Sequence, residues 1–167
     1  MAKMLGEFGL NNGVEIGTRF GDFAKVLLDA NPKCFLTCVD PWMAYNNRSE
    51  EWQDESYHRA ATLLAPYIQA GRCRLCRKPS MDAVVEWPDA ELDFVFIDGN
   101  HDFDFAMEDI LYWSRKVKQG GIVAVHDYHP FCGSDVRFAV DAYTAGHDIR
   151  PWYVTREMEP TAFWVKQ

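Results

Sequence analysis

The stretch Gly13-Val14-Glu15-Ile16-Gly17-Thr18-Arg19-Phe20-Gly21-Asp22-Phe23 decides the fold of this chain. Its apolar run, its two glycines and the helical pattern after them predict a strand that passes through a tight turn into a helix. A side chain at Gly17 or Gly21 would keep a ligand off the backbone, so we expect the turn to hold a nucleotide against its N–H groups. Asp40, at the end of the next predicted strand, is placed to accept both hydroxyls of a ribose.

Composition narrows the class of protein. With 167 residues, 48% of them hydrophobic, the chain suits a single domain over residues 1–167. No segment resembles a signal peptide or reaches the roughly 20 apolar residues of a spanning helix. We therefore expect a soluble, cytoplasmic protein without a membrane partner. A net charge of −8 disfavours nucleic acid as a partner, because Lys and Arg drive binding to phosphate backbones.

The cysteine pairs Cys34-x3-Cys38 and Cys73-x2-Cys76 superficially suggest a zinc site. Both pairs lie in or directly next to predicted strands. Residues three apart on a strand face opposite sides of the sheet, so Cys73 and Cys76 could not easily share one ion. We therefore expect small buried side chains. The odd count of five cysteines also disfavours a disulfide framework.

Strand and helix patterns alternate along the chain, which is typical of a parallel sheet covered by helices. The predicted strands are Gly13–Ile16, Phe35–Val39, Arg72–Arg77, Leu92–Ile97, Ile122–Val125, Arg150–Thr155 and Thr161–Val165. The predicted helices are Ala2–Leu10, Phe23–Ala30, Glu55–Ala70, Ser80–Trp87, Phe105–Lys118 and Ser134–Ala145. Gly120 and Gly121 are interpreted as the stop of the fifth helix. The long irregular segment Tyr45–Tyr57 is the candidate for an internal lid.

Polar or glycine-bearing residues follow each of the first five predicted strands. Ligands of open α/β sheets bind at the carboxyl ends of the strands, so an active site is expected there. The groups are Gly17-Thr18, Asp40-Pro41-Trp42, Pro79-Ser80-Met81, Asp98-Gly99-Asn100-His101 and His126-Asp127-Tyr128-His129.

Three sequence blocks carry a family resemblance. They are Val14-Glu15-Ile16-Gly17, Phe96-Ile97-Asp98-Gly99-Asn100-His101 and Gly120-Gly121-Ile122-Val123-Ala124-Val125-His126-Asp127-Tyr128. In this order and spacing, the chain resembles the class I S-adenosylmethionine (SAM)-dependent methyltransferases. Within them it is similar to a small bacterial branch of antibiotic- and macrolide-modifying O-methyltransferases. The resemblance implies a Rossmann-like, doubly wound α/β sheet of seven mostly parallel strands, the last one antiparallel.

The resemblance also implies a cofactor site. Glu15 and Gly17 would border the methionine part of SAM, Asp40 would hold the ribose, and Ser80 would line the adenine. Trp42 either stacks on the adenine or anchors the packing. The remaining cofactor-binding candidates are Thr18, Gly21 and Asp98.

Transfer of a methyl group to a hydroxyl of a small-molecule substrate also requires loss of the hydroxyl proton. His101 or His126, next to Asp127, could act as a general base. Alternatively, Asp98 and Asp127 could bind Mg²⁺, which would lower the pKa of the hydroxyl. Metal-dependent relatives usually carry Asn or Asp where this chain has Tyr128, so the two alternatives stay open.

Two other functions are compatible with parts of the pattern. One is a SAM-binding or scaffold module without catalysis, and the other is a nicotinamide-dependent oxidoreductase, which the missing third glycine of the dinucleotide fingerprint disfavours. We also expect a homodimer, because aromatic residues are enriched at interface cores. The aromatic candidates for that contact are Tyr143, Trp152, Tyr153, Phe163 and Trp164.

Overall fold

The computed structural model describes residues 1–45, 48–129 and 135–167. These residues form two compact units, Met1–Ala83 and Val84–Gln167. Within the described ranges, the helices are all too short or too polar to cross a membrane.

The first unit contains three parallel strands in the order β3, β2, β1. Val14 in β1 and Leu36 in β2 are fully buried and form its core with the apolar side of α2. Its elements, with α4 at the boundary between the units, are α1 (Ala2–Glu7), β1 (Asn12–Ile16), α2 (Asp22–Ala30), β2 (Phe35–Val39), α3 (Glu50–Gln69), β3 (Cys73–Cys76) and α4 (Ser80–Val84).

Helix α3 begins five residues earlier than its apolar pattern predicts. The Ser49 hydroxyl accepts a hydrogen bond from the Trp52 N–H at 3.3 Å, and Glu50 and Glu51 occupy the first turn, where carboxylates favour the helix. The interpretation of Tyr45–Tyr57 as an irregular lid is therefore wrong from Glu50 onward. Asn46 and Asn47, within that segment, lie outside the described residues.

The second unit contains β4 (Leu92–Ile97), α5 (Phe103–Lys116), β5 (Val117–Val125), α6 (Asp135–Gly146), β6 (Trp152–Val154) and β7 (Ala162–Val165). Strand β4 is parallel to β5, whereas β7 lies between β5 and β6 and is antiparallel to both. Every residue of β4 is buried, as its apolar run, which only Asp93 interrupts, predicts. The predicted fold class, a seven-stranded, mostly parallel α/β sheet with an antiparallel last strand, is confirmed. Ser134, the predicted start of α6, lies outside the described residues.

Gly120 and Gly121 do not end helix α5, which stops at Lys116. Both glycines lie inside β5, where residues 118–120 are exposed and interrupt the apolar pattern. A Cβ atom on Gly121 would lie 2.5 Å from the backbone oxygen of Asp93, so the close approach of neighbouring backbone excludes a side chain there.

The structure buries the side chains of Cys34, Cys38, Cys73 and Cys76, as predicted. The Sγ atoms of Cys38 and Cys73 lie 3.8 Å apart. The fifth cysteine, Cys132, lies outside the described residues.

Two of the aromatic residues predicted at a dimer contact belong to the core instead. Tyr143 is 7% exposed and Trp164 only 1%, and their rings lie 5.7 Å apart. Tyr153 remains 48% exposed on β6, an edge strand that pairs within this unit with β7. Its ring stacks on Phe163 at 5.3 Å.

Candidate active site

The glycine turn between β1 and α2 has the backbone conformation that its sequence predicts. Gly17 and Gly21 have φ values of +87° and +81°, in the left-handed region that favours glycine. The Gly17 N–H donates to the Val39 carbonyl at 2.8 Å, and the Gly21 N–H donates to the Thr18 carbonyl at 2.8 Å. The first bond ties the turn to the end of β2, where Asp40 follows, and the second lies within the turn itself.

Asp40 is positioned by two backbone donors. Its Oδ2 accepts from the Arg19 N–H and its Oδ1 from the Trp42 N–H, both at 2.8 Å. Burial raises the pKa of Asp40, and the two N–H groups oppose that rise. A carboxylate has about four acceptor positions, so both oxygens can still accept hydroxyl donors. The group is thus oriented and retains capacity to bind a diol.

Trp42 is fully buried, which favours the packing role over adenine stacking. Its indole N–H donates to the Arg19 carbonyl at 2.8 Å, and its ring packs edge to face on Tyr57 at 5.1 Å. The backbone at Trp42 has φ +41°. The ring therefore fastens the segment after β2 to the glycine turn and offers no free face.

The other cofactor candidates of this unit support the turn or border it. Glu15 is 2% exposed and Thr18 5% exposed, so both lie beneath the turn surface. Ser80 is half-buried at the first position of α4. Their contacts with a cofactor stay predictions.

In the second unit, the ends of β4 and β5 bring four of the predicted residues together. Nε2 of His101 lies 3.1 Å from Oδ2 of Asp127 and 3.5 Å from Oδ1 of Asp98. Nδ1 of His126 lies 3.3 Å from Oδ1 of Asp127 and 3.5 Å from Oδ1 of Asp98. Asp127 has φ +58°, a conformation uncommon outside glycine that often marks functional sites.

The carboxylates and imidazoles of this cluster shift one another's pKa values. Burial lowers the pKa of His126, but the carboxylates of Asp127 and Asp98 outweigh it and raise the value to about 10. The pKa of His101 is raised mainly by Asp98, against the effect of burial. The pKa of Asp127 is lowered, mainly by His126. At neutral pH His126 is therefore protonated in the isolated cluster.

Ligand atoms for a metal ion converge at this cluster. Those of Asp98, His101 and Asp127 lie within 4.8 Å of one another, as do those of His126, Asp127 and Glu159. Carboxylates combined with imidazoles suit a divalent metal, and imidazole is a better ligand for zinc, iron or copper than for Mg²⁺.

One member of the cluster, Glu159, escaped the sequence prediction of the site. It precedes β7 in a segment with no motif, and nothing in the sequence signals its approach. His129 belongs to the group predicted after β5 but was given no role there, and its Nε2 lies 3.3 Å from Oδ1 of Asp127.

Tyr128 is not placed as a ligand. Its hydroxyl donates to Oδ1 of Asp141 on α6 at 2.8 Å, and its N–H donates to the Pro160 carbonyl at 2.9 Å. The side chain thus connects the segment after β5 to α6.

Several solved structures share this fold. An O-methyltransferase from Bacillus cereus in complex with S-adenosylhomocysteine (SAH) has a TM-score of 0.71 at 14% identity, covering 99% of this chain and 78% of that one. The O-methyltransferase TomG from Streptomyces achromogenes, involved in tomaymycin synthesis and bound to SAM, has a TM-score of 0.68 at 17% identity, covering 99% and 79%. At identities this low, these TM-scores establish a shared fold alone.

Sequence comparison identifies the family of the chain. The uncharacterized protein y4gI of Sinorhizobium fredii is 28% identical over 120 residues, which cover 68% of this chain but only 13% of that much longer protein. A family model for a methyltransferase domain matches residues 14–128, from β1 to the residue after Asp127. The chain therefore belongs to the methyltransferase-domain family.

Proposed function

We propose that this chain transfers the methyl group of SAM to a hydroxyl oxygen of a small molecule, with its two units acting as one methyltransferase domain. The observation that carries the proposal is Asp40, a carboxylate held beside the left-handed glycine turn by two backbone N–H groups. Membership of the methyltransferase family supports it, as do neighbours of the same fold that hold SAM or SAH.

The first unit supplies the groups for binding the cofactor. Asp40 would accept the ribose hydroxyls, and the turn around Gly17 allows the ligand to approach the backbone. Methyl transfer from a sulfonium needs little covalent assistance, because holding donor and acceptor in line supplies effective molarities of order 10⁵ M or more. The main task of these residues is therefore orientation.

The second unit would manage the proton of the acceptor. Asp98, His101 and Asp127 fit a divalent ion, with His126 and Glu159 beside them. When bound, such an ion would lower the pKa of the acceptor hydroxyl. The alternative is direct proton transfer to His101 or His126, and His126 would first have to lose its own proton.

The test uses SAM with a labelled methyl group and a panel of phenols, catechols and sugar hydroxyls, and measures the labelled product. We expect transfer to at least one hydroxyl acceptor. Loss of transfer in excess chelator, restored by a divalent ion, would establish the metal-assisted route, and transfer indifferent to chelator would leave a histidine base. SAM binding without transfer to any acceptor would favour a scaffold module.

We further propose a homodimer formed through the edge strand β6, where Tyr153 and Val154 are 48% and 41% exposed. An edge strand with exposed apolar side chains is a ready template for a second chain. Light scattering should give about twice the 19.2 kDa of one chain. A particle of one chain's mass at micromolar concentration would contradict the dimer. The buried thiols suit a reducing compartment, so we propose the cytoplasm as the location.

A further inference from the structure

Three arginines alternate with three aromatic rings on the surface of the first unit, next to the glycine turn. The guanidinium of Arg19 lies 4.6 Å from the centre of the Phe20 ring and 5.4 Å from that of Trp52. We call this set the arginine–aromatic cluster; in order, it consists of Arg59, Phe20, Arg19, Trp52, Arg48 and Tyr45.

Only one of the three arginines forms an ion pair with a described residue. Nη2 of Arg59 lies 3.2 Å from Oδ2 of Asp22. Arg19 and Arg48, by contrast, have no ion pair with any residue that the structure describes. Arg48 donates from Nη1 to the Tyr45 hydroxyl at 2.8 Å, and both guanidinium groups act on the Asp40 carboxylate only through electrostatics, which opposes the rise in its pKa, without an ion pair. Two positive charges thus stand together in a chain whose net charge is −8.

Arg19 is held in a strained backbone conformation. Its φ is +51°, in the left-handed region that a non-glycine residue rarely adopts. Its N–H is fixed by Asp40 and its carbonyl by the Trp42 indole, both at 2.8 Å. Such strain is typical of positions where function constrains the backbone, and here it fixes a guanidinium beside the proposed ribose site.

The cofactor itself does not account for these charges. SAM carries a net positive charge, its one carboxylate belongs to the methionine part that Glu15 and Gly17 would border, and the ribose hydroxyls that Asp40 would bind are neutral. A guanidinium stacked on a ring keeps its planar fork free for two parallel hydrogen bonds to an oxyanion. A phosphate dianion matches two such groups in charge, whereas a carboxylate matches one.

From this arrangement we propose that Arg19 and Arg48 bind a phosphate or diphosphate group carried by the methyl acceptor. The proposal rests on the proposed methyl transfer and assigns its substrate class, a phosphorylated small molecule. The aromatic rings of Trp52 and Tyr45 would hold the two guanidinium planes in position, and the arginines would donate hydrogen bonds to the anion.

The test is calorimetry of the whole protein with inorganic pyrophosphate as the probe, with and without SAH. The variant is Arg19→Gln with Arg48→Gln, and the matched control is Arg59→Gln, whose charge is already paired with Asp22. A second variant, Arg19→Lys with Arg48→Lys, keeps both charges but loses the planar forks.

We expect the glutamine double variant to bind pyrophosphate at least tenfold more weakly, the lysine variant to lie in between, and the control to stay within twofold of wild type. SAH affinity should be unchanged in all of them, because the Arg19 N–H that positions Asp40 belongs to the backbone and every variant keeps it. Equal pyrophosphate binding by wild type and the glutamine variant would overturn the proposal. So would a glutamine variant that loses SAH affinity while the wild type shows no pyrophosphate binding. Pyrophosphate binding is also measured without SAH, so the two proposals can fail independently. Absence of SAH binding to wild type would count against the proposed function.

Discussion

Nε2 of His101 lies 3.1 Å from Oδ2 of Asp127, across the gap between the segments that follow β4 and β5. The two residues are 26 positions apart in the chain, and the parallel pairing of β4 with β5 brings them together. Asp98 completes the group at 3.5 Å from the same nitrogen. One imidazole between two carboxylates is a donor set for a cation, either a proton or a metal ion.

Asp127→Asn should weaken binding of Mn²⁺ or Zn²⁺ at least tenfold, because both ligand triads use this carboxylate. Titration calorimetry of the purified protein measures the effect. His129→Gln is the control, since His129 lies 3.3 Å from Asp127 but belongs to neither triad. Metal affinity retained in Asp127→Asn would contradict a site at this cluster.

Gly21→Ala should destabilise the fold by more than Gly9→Ala. Both glycines have positive φ, so each substitution carries a backbone strain of roughly 1 kcal/mol. A Cβ on Gly21 would also lie 3.0 Å from Cδ1 of Leu64, whereas nothing lies within 4 Å of one on Gly9. Urea denaturation gives both free energies of unfolding, and equal losses would refute the close contact with α3.

SAH affinity should fall in mildly acidic solution because burial raises the pKa of Asp40 above its ordinary value of 3.8. As the pH falls through the raised pKa, the carboxyl gains a proton and loses acceptor capacity for the ribose hydroxyls. Calorimetry over a pH series that descends from about pH 7 records the loss. Asp40→Asn should bind roughly 1–3 kcal/mol more weakly at pH 7 and lose this pH dependence. A wild-type affinity that is flat over the same range would count against the ribose contact.

Trp42→Phe separates the packing role from adenine stacking. Loss of the indole N–H leaves the Arg19 carbonyl without that donor, so we expect a destabilisation of roughly 1–3 kcal/mol. SAH affinity should stay within about twofold of wild type, because the ring is fully buried. Unchanged stability with a large loss of affinity would restore the stacking interpretation.

The sequence predicted the elements that carry strong local signals. The bounds of β2 and β4 match the structure, because both strands are apolar runs interrupted at most once, and the glycine turn was recognisable from its spacing. The start of α3 was missed because its first turn is polar. Ser49, Glu50 and Glu51 form a helix start that capping preferences could have identified.

The sequence predicted those residues of the site that directly follow a strand, but it did not predict the others. Asp98, His101, His126 and Asp127 come together because the ends of β4 and β5 are neighbours. Glu159 reaches the cluster from the connection between β6 and β7, whose path depends on tertiary packing rather than on a local pattern. The arginine–aromatic cluster likewise joins the glycine turn to α3, and no sequence period links those positions.

Calorimetry of the purified chain with SAH, in parallel with NAD⁺, tests the central claim most directly. The glycine turn and Asp40 predict that SAH binds at a single site per chain, that NAD⁺ does not, and that Asp40→Ala weakens SAH binding by roughly 1–3 kcal/mol. Binding of NAD⁺ in preference to SAH, or an SAH affinity that Asp40→Ala leaves unchanged, would contradict the assignment of this chain as a SAM-dependent methyltransferase.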